Sequence, residues 1–183
     1  LRGLGQSAED QDSYIAKISS GVTTIMRVGL KDHIHCVTFR KWPKQTPKLD
    51  ELVTLMEPKF RPVAQIVNAN MPKTYEIVKA HHCAYQQRNY VHIAMKDGDG
   101  KYFSLVLARK QAGETFASSS LRRVFDKPNF AVYGENVERF QIAGFETRDF
   151  LAYVIGDTTT ENNSQLAGMI AAPLREFLDS LEG

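Results

Sequence analysis

The chain has 183 residues, 43% of them hydrophobic and 24% charged, with a formal net charge of +2. That length is enough for one domain with a real core, and no basic block concentrates the charge, which argues against nucleic acid as a partner. No apolar run approaches the roughly 18–20 residues of a membrane span, and the polar, Gly-rich start is not a signal peptide.

In chain order, a polar lead over residues 1–11 precedes Tyr14, Ile15, Ile18, Val22, Ile25 and Met26. Their three- and four-residue spacing predicts an amphipathic helix over 12–29, weakened at Gly21. A short extended piece at 37–39 and a Pro-rich breaker over 42–47 follow. Leu49, Leu52, Val53 and Met56 predict a short helix, and 62–72 reads as irregular or briefly helical.

From residue 75 the pattern changes. Segments 75–85, 90–96 and 102–109 are rich in β-branched and aromatic residues and read as strands, with Asp97-Gly98-Asp99-Gly100 as a hairpin turn. Residues 112–129 are polar, with a short helix expected at 118–125. Two more strands are expected at 138–145 and 150–155. The last element is a helix opened by the capping box Thr158-x-x-Glu161 and kinked at Pro173. The expected fold class is α+β: an antiparallel meander sheet of about five strands packed with N-terminal and C-terminal helices, all in one domain spanning 1–183.

The two cysteines and five histidines are concentrated in two stretches. One reads Asp32-His33-Ile34-His35-Cys36; the other reads His81-His82-Cys83-Ala84-Tyr85 and is followed by His92. Thiols and imidazoles are the ligands of soft and borderline metals. A four-residue loop over 86–89, or a two-residue loop at Gln87-Arg88, would set Cys83 opposite His92, with His81 on the same face and His82 on the other. A helical turn at 33–36 would put His33 and Cys36 on one side and turn His35 away. The candidate ligands are therefore His33, Cys36, His81, Cys83 and His92, for zinc or another transition metal.

Two further readings of the same residues stand beside the metal site. A Cys36–Cys83 disulfide would close a long loop and stabilise by roughly 3–4 kcal/mol on the chain-entropy model. Alternatively, both thiols are buried and unreactive. A thiol-dependent enzyme, with Cys83 as nucleophile and His92 as base, is the catalytic alternative, although no orienting third residue accompanies the pair.

These motifs, with Arg88, Tyr90-Val91-His92, Gly144-Phe145-Glu146-Thr147-Arg148-Asp149 and Ala152-Tyr153-Val154-Ile155-Gly156-Asp157, resemble the C-terminal domain of bacterial transmembrane anti-sigma factors of the zinc-finger type. The resemblance covers most of the chain after Tyr14. It implies a non-catalytic sensor or regulatory domain on the extracytoplasmic, periplasmic side of an inner membrane. It also implies an anchor and a sigma-factor-binding region outside this chain, which starts at Leu1 and reads as a fragment. It implies that His33, Cys36, His81, Cys83 and His92 matter while His35 and His82 are freer. It further implies an oxidising compartment, which raises the disulfide reading nearly level with the metal, and a homo-oligomer is compatible with such a domain.

Overall fold

The computed structural model describes residues 7–40, 42–127 and 130–181; the first six residues of the polar lead and Lys41 lie outside them. The fold is α+β, as the sequence pattern predicts, but the antiparallel sheet has seven strands rather than about five, in the order β1-β2-β3-β7-β6-β5-β4. The strands are β1 (Glu76–Tyr85), β2 (Arg88–Lys96), β3 (Tyr102–Arg109), β4 (Arg122–Lys127), β5 (Phe130–Val137), β6 (Phe140–Glu146) and β7 (Phe150–Gly156). Two meanders, β1–β3 and β4–β7, join where β3 pairs with β7.

Helical layers cover both faces. Helices α1 (Ala8–Ser19) and α2 (Thr24–His33), with a π-helical turn over Ile34–Thr38, cover one face. Helices α3 (Leu49–Leu52), α4 (Arg61–Asn70) and α5 (Thr160–Ser180) cover the other. The period-2 alternation of β3 shows the division. Phe103, Leu105 and Leu107 face α4 and α5, while Val106 and Ala108 face α1 and α2.

The helix expected over 12–29 is two helices. The first starts earlier than expected, at a capping box in which Ser7 and Asp10 satisfy each other's orphan donors. The break falls at Gly21, where a Cβ would lie 2.7 Å from Cγ2 of Val137. Beyond it, the Thr23 N–H and hydroxyl donate to the Glu135 carboxylate at 3.0 and 2.5 Å. That places a negative charge at the N-terminus of α2, where the helix dipole favours it.

Other expectations are corrected. Residues 37 and 38 belong to the π-helical turn and Phe39 caps it, so there is no extended piece, and 118–125 is not helical because β4 begins at Arg122. Strand β5 has no counterpart in the sequence reading. The cap of α5 is Thr159, accepting from the Asn162 N–H at 3.2 Å, one residue later than expected. The helix continues through Pro173.

The β1–β2 hairpin turns one residue earlier than a two-residue loop at Gln87-Arg88 would place it. Its loop is Gln86-Gln87, both left-handed at φ 48° and 64°, as a two-residue I′ turn requires. Tyr85 therefore pairs with Arg88, His81 with His92, and Cys83 with Tyr90 rather than His92. The pairing slides by two residues, and an even shift leaves every side chain on its predicted face.

One close approach fixes α2 on the sheet. A Cβ at Gly29 would lie 2.3–2.7 Å from the Tyr153 ring, and the Tyr153 hydroxyl donates to the Ile25 carbonyl at 2.6 Å. Gly29→Ala would gain about 1 kcal/mol of helix propensity but must displace a fully buried ring. Overpacking of that kind costs about 1–3 kcal/mol. We expect Gly29→Ala to lower the urea midpoint; an unchanged or raised midpoint would show that the contact has slack.

Candidate metal centre

The C-terminal end of α2 and the π-helical turn lie over β1–β3, so residues 32–36 meet the inward faces of three strands. Cys36 is fully buried and Cys83 nearly so, and their sulfurs are 2.9 Å apart. That is well beyond the roughly 2.05 Å of a disulfide bond, and both thiols are free. The donor atoms of Cys36, His81 and His92 lie within 4.8 Å of one another, as do those of His35, Cys36 and Cys83. Cys36, Cys83, His81 and His92 are thus close enough to hold one metal ion.

His33 belongs to neither group. Its Nδ1 lies 2.7 Å from the Ser104 hydroxyl, which also lies 2.6 Å from Nε2 of His92. His35, expected to turn away, stacks on Tyr85 at 4.5 Å and reaches the two thiols. His82 is on the opposite face as expected, 3.2 Å from the Glu57 carboxylate and beside the Phe60 ring.

Two residues that the sequence reading did not assign complete the site. Asp32 is fully buried; its Oδ1 accepts from the Cys36 thiol at 3.7 Å and its Oδ2 lies 3.3 Å from Nδ1 of His92. The geometry of the second contact is too poor for a hydrogen bond, so Asp32 Oδ2, His92 Nδ1 and His81 Nε2 are all buried without a hydrogen-bond partner. Ser104, also fully buried, is the other. Its signal lies in the strand pattern: Ser104 is the one polar residue in the buried run 103–108, and a buried hydroxyl needs a partner.

Burial dominates the electrostatics. It lowers His33 and His81 to about 3 and His92 well below the ordinary histidine value, with nearby Lys79, Arg40 and Arg139 adding to the effect. All three imidazoles are neutral at pH 7, the form that ligates metals. Burial raises Asp32 to about 6, against the opposing hydrogen bonds from Cys83 and Cys36. The Cys83 thiol is pushed far up, first by its hydrogen bond to Cys36, then by burial and by Asp32.

Ser104 constrains the proton positions. A hydroxyl has one O–H and two acceptor lone pairs, so at most one of the two flanking imidazoles accepts from it; with these two rings as the hydroxyl's hydrogen-bond partners, satisfying its O–H makes one ring the acceptor and leaves the other to donate. If His92 gives the Nδ1 lone pair to a metal, Nε2–H donates to Ser104. Ser104 then donates to Nδ1 of His33, and the His33 proton resides on Nε2. Without a metal, Nδ1–H of His92 can face Asp32, and the chain runs the other way. Such outer partners fix the tautomer of a ligating histidine.

The pH dependence of the metal-free fold follows. Between about pH 4 and 6 the unfolded chain holds three imidazole protons that the folded site excludes, and the folded chain holds one carboxyl proton, on Asp32, that the unfolded chain has lost. The histidine contribution is lost as pH falls and the Asp32 contribution is lost as pH rises; the histidines prevail by two protons. We expect stability to rise with pH by roughly 2–3 kcal/mol per unit across that window, more steeply in Asp32→Asn. Urea titrations from pH 4 to 6.5 measure it, and a flat or falling profile would contradict the neutral assignment of the histidines.

No family model, curated protein or solved structure matches the chain, so function is read from the chemistry of the site itself.

Proposed function

We propose that this domain is a non-catalytic sensor whose Cys36, Cys83, His81 and His92 bind a soft or borderline transition metal, with zinc as the reference ion. One observation carries the reading. Two buried thiols converge with two neutral imidazoles whose inward nitrogens, His81 Nε2 and His92 Nδ1, have no hydrogen-bond partner, beside a buried carboxylate oxygen that also lacks one. Buried polar atoms without partners are costly, and a cation at their centre would satisfy all of them together. Two sulfurs and two nitrogens make a common tetrahedral zinc set. Two sulfurs about 2.3 Å from one tetrahedral ion stand about 3.8 Å apart, so loading must open the present 2.9 Å separation.

The same short separation favours a second reading, a dithiol–disulfide switch. Cys36 and Cys83 would lose two protons and two electrons to an external oxidant and form one S–S bond. The thiol-enzyme alternative has less support. Cys83 lies opposite Tyr90, and its thiol is pushed up rather than down, whereas a nucleophilic cysteine needs a depressed pKa.

The resemblance in the Cys/His motifs supports assigning this sensor to an anti-sigma-factor-like regulator, with its anchor and partner-binding parts outside the chain. Among the described residues no helix is long and apolar enough to cross a membrane. In this reading metal loading alters the α2 end and the π-helical turn, and that change is what the rest of the regulator reads.

Elemental analysis after zinc loading and dialysis should give one zinc per chain. Outer-shell changes cost about 10–100-fold in affinity, so we expect Cys36→Ser, Cys83→Ser and His81→Ala to cost more than about a hundredfold, and His35→Ala little. Affinity should rise with pH as the thiols release their protons. A chain that takes up no zinc while its thiols remain titratable, even under oxidant, would overturn both readings.

A further inference from the structure

His33 also lines a cleft of about 340 Å³ that neither Ser104 nor the metal site reaches. Arg40, Lys101 and Arg139 line it, Asp157 is the one carboxylate on its wall, and His33 is its buried polar member. Among the described residues none of the three cations is in an ion pair with a carboxylate; Arg139 only rests over the Phe140 ring, 5.2 Å from its centroid. Trp42 and Tyr102, stacked on each other at 4.6 Å, supply an apolar wall.

We propose that this cleft binds a small phosphomonoester, and that its affinity is set by the buried metal site through the His33–Ser104–His92 chain. Three cations against one carboxylate leave an excess of two positive charges, matching the roughly −1.5 to −2 of a phosphomonoester better than a monocarboxylate. Guanidinium groups suit the acceptor geometry of phosphate oxygens. The volume sits at the lower end of the roughly 300–1,000 Å³ of small-molecule sites, leaving room for an organic body against the aromatic wall.

The coupling rests on the metal reading. With Nδ1 of His33 committed to Ser104, Nε2 is the ring atom available to the cleft. A metal on Nδ1 of His92 sets the chain so that His33 Nε2 carries a proton and donates to an anion. In the reverse setting, Nε2 presents a lone pair, which repels one. A ligand shifts such an equilibrium only by its preference for one state, and here that preference is a single hydrogen bond gained against one lone-pair repulsion.

The test is a calorimetric titration with phenyl phosphate of the metal-free chain and of the zinc-loaded chain freed of excess zinc. We expect saturable one-to-one binding to both forms, weakened about tenfold by Arg139→Gln and by Arg40→Gln, as loss of a charge-assisted hydrogen bond implies. The zinc-loaded form should bind several-fold tighter, and Ser104→Ala with zinc retained should erase that difference. No saturable binding, or binding indifferent to the arginine substitutions, overturns the site. Equal affinity with and without bound zinc overturns the coupling. A chain that takes up no zinc removes the metal reading and the coupling together, while the metal-free titration still decides the cleft; the arginines are exposed, so their variants test it without threatening the fold.

Discussion

The height of α2 above the sheet sets everything at the site. Gly29 lets the Tyr153 ring lie directly beneath the helix backbone, and the Tyr153 hydroxyl fastens to the Ile25 carbonyl. A helix held that low delivers Asp32, His33 and Cys36 to β1, β2 and β3 with no intervening layer of side chains. The sheet answers with His81 and Cys83 on β1, His92 on β2 and Ser104 on β3, all on the inward face.

The result is a polar cluster in an apolar layer. An ordinary core would not keep a carboxyl, two thiols and three imidazoles where burial opposes every charged form. Here burial keeps the imidazoles neutral, with their lone pairs free, and pushes the Asp32 carboxyl up to about 6. The imidazoles therefore keep their lone pairs free of protons, whereas the Cys83 thiol holds its proton, which a binding metal would have to displace. The Ser104 hydroxyl then extends the cluster to His33 and the edge of the basic cleft, so one buried network touches both sites.

Much of this was legible in the sequence, for physical reasons. Strand periodicity assigns faces, and the face assignments of His81, His82, Cys83 and His92 survive although the hairpin partner of Cys83 is Tyr90. The register was hidden because Gln86 and Gln87 adopt left-handed conformations without the glycine or asparagine that usually marks such a turn. Helical spacing turns His35 away only where the α-helix continues past Ile34, and there the chain widens into a π-helical turn instead. Strand β4 is obscured by the serine run at 118–120, which reads as a helix cap. Asp32 sits in the motif itself, yet a carboxylate among charged and polar neighbours looks like surface until a helix end is shown to be buried.

The central claim is that the thiols and imidazoles form one coordination sphere, and X-ray absorption at the zinc edge of the loaded chain tests it most directly. The account predicts two sulfur neighbours near 2.3 Å and two nitrogens at about 2.0–2.1 Å. A shell of oxygen and nitrogen alone, or a single sulfur, would contradict it.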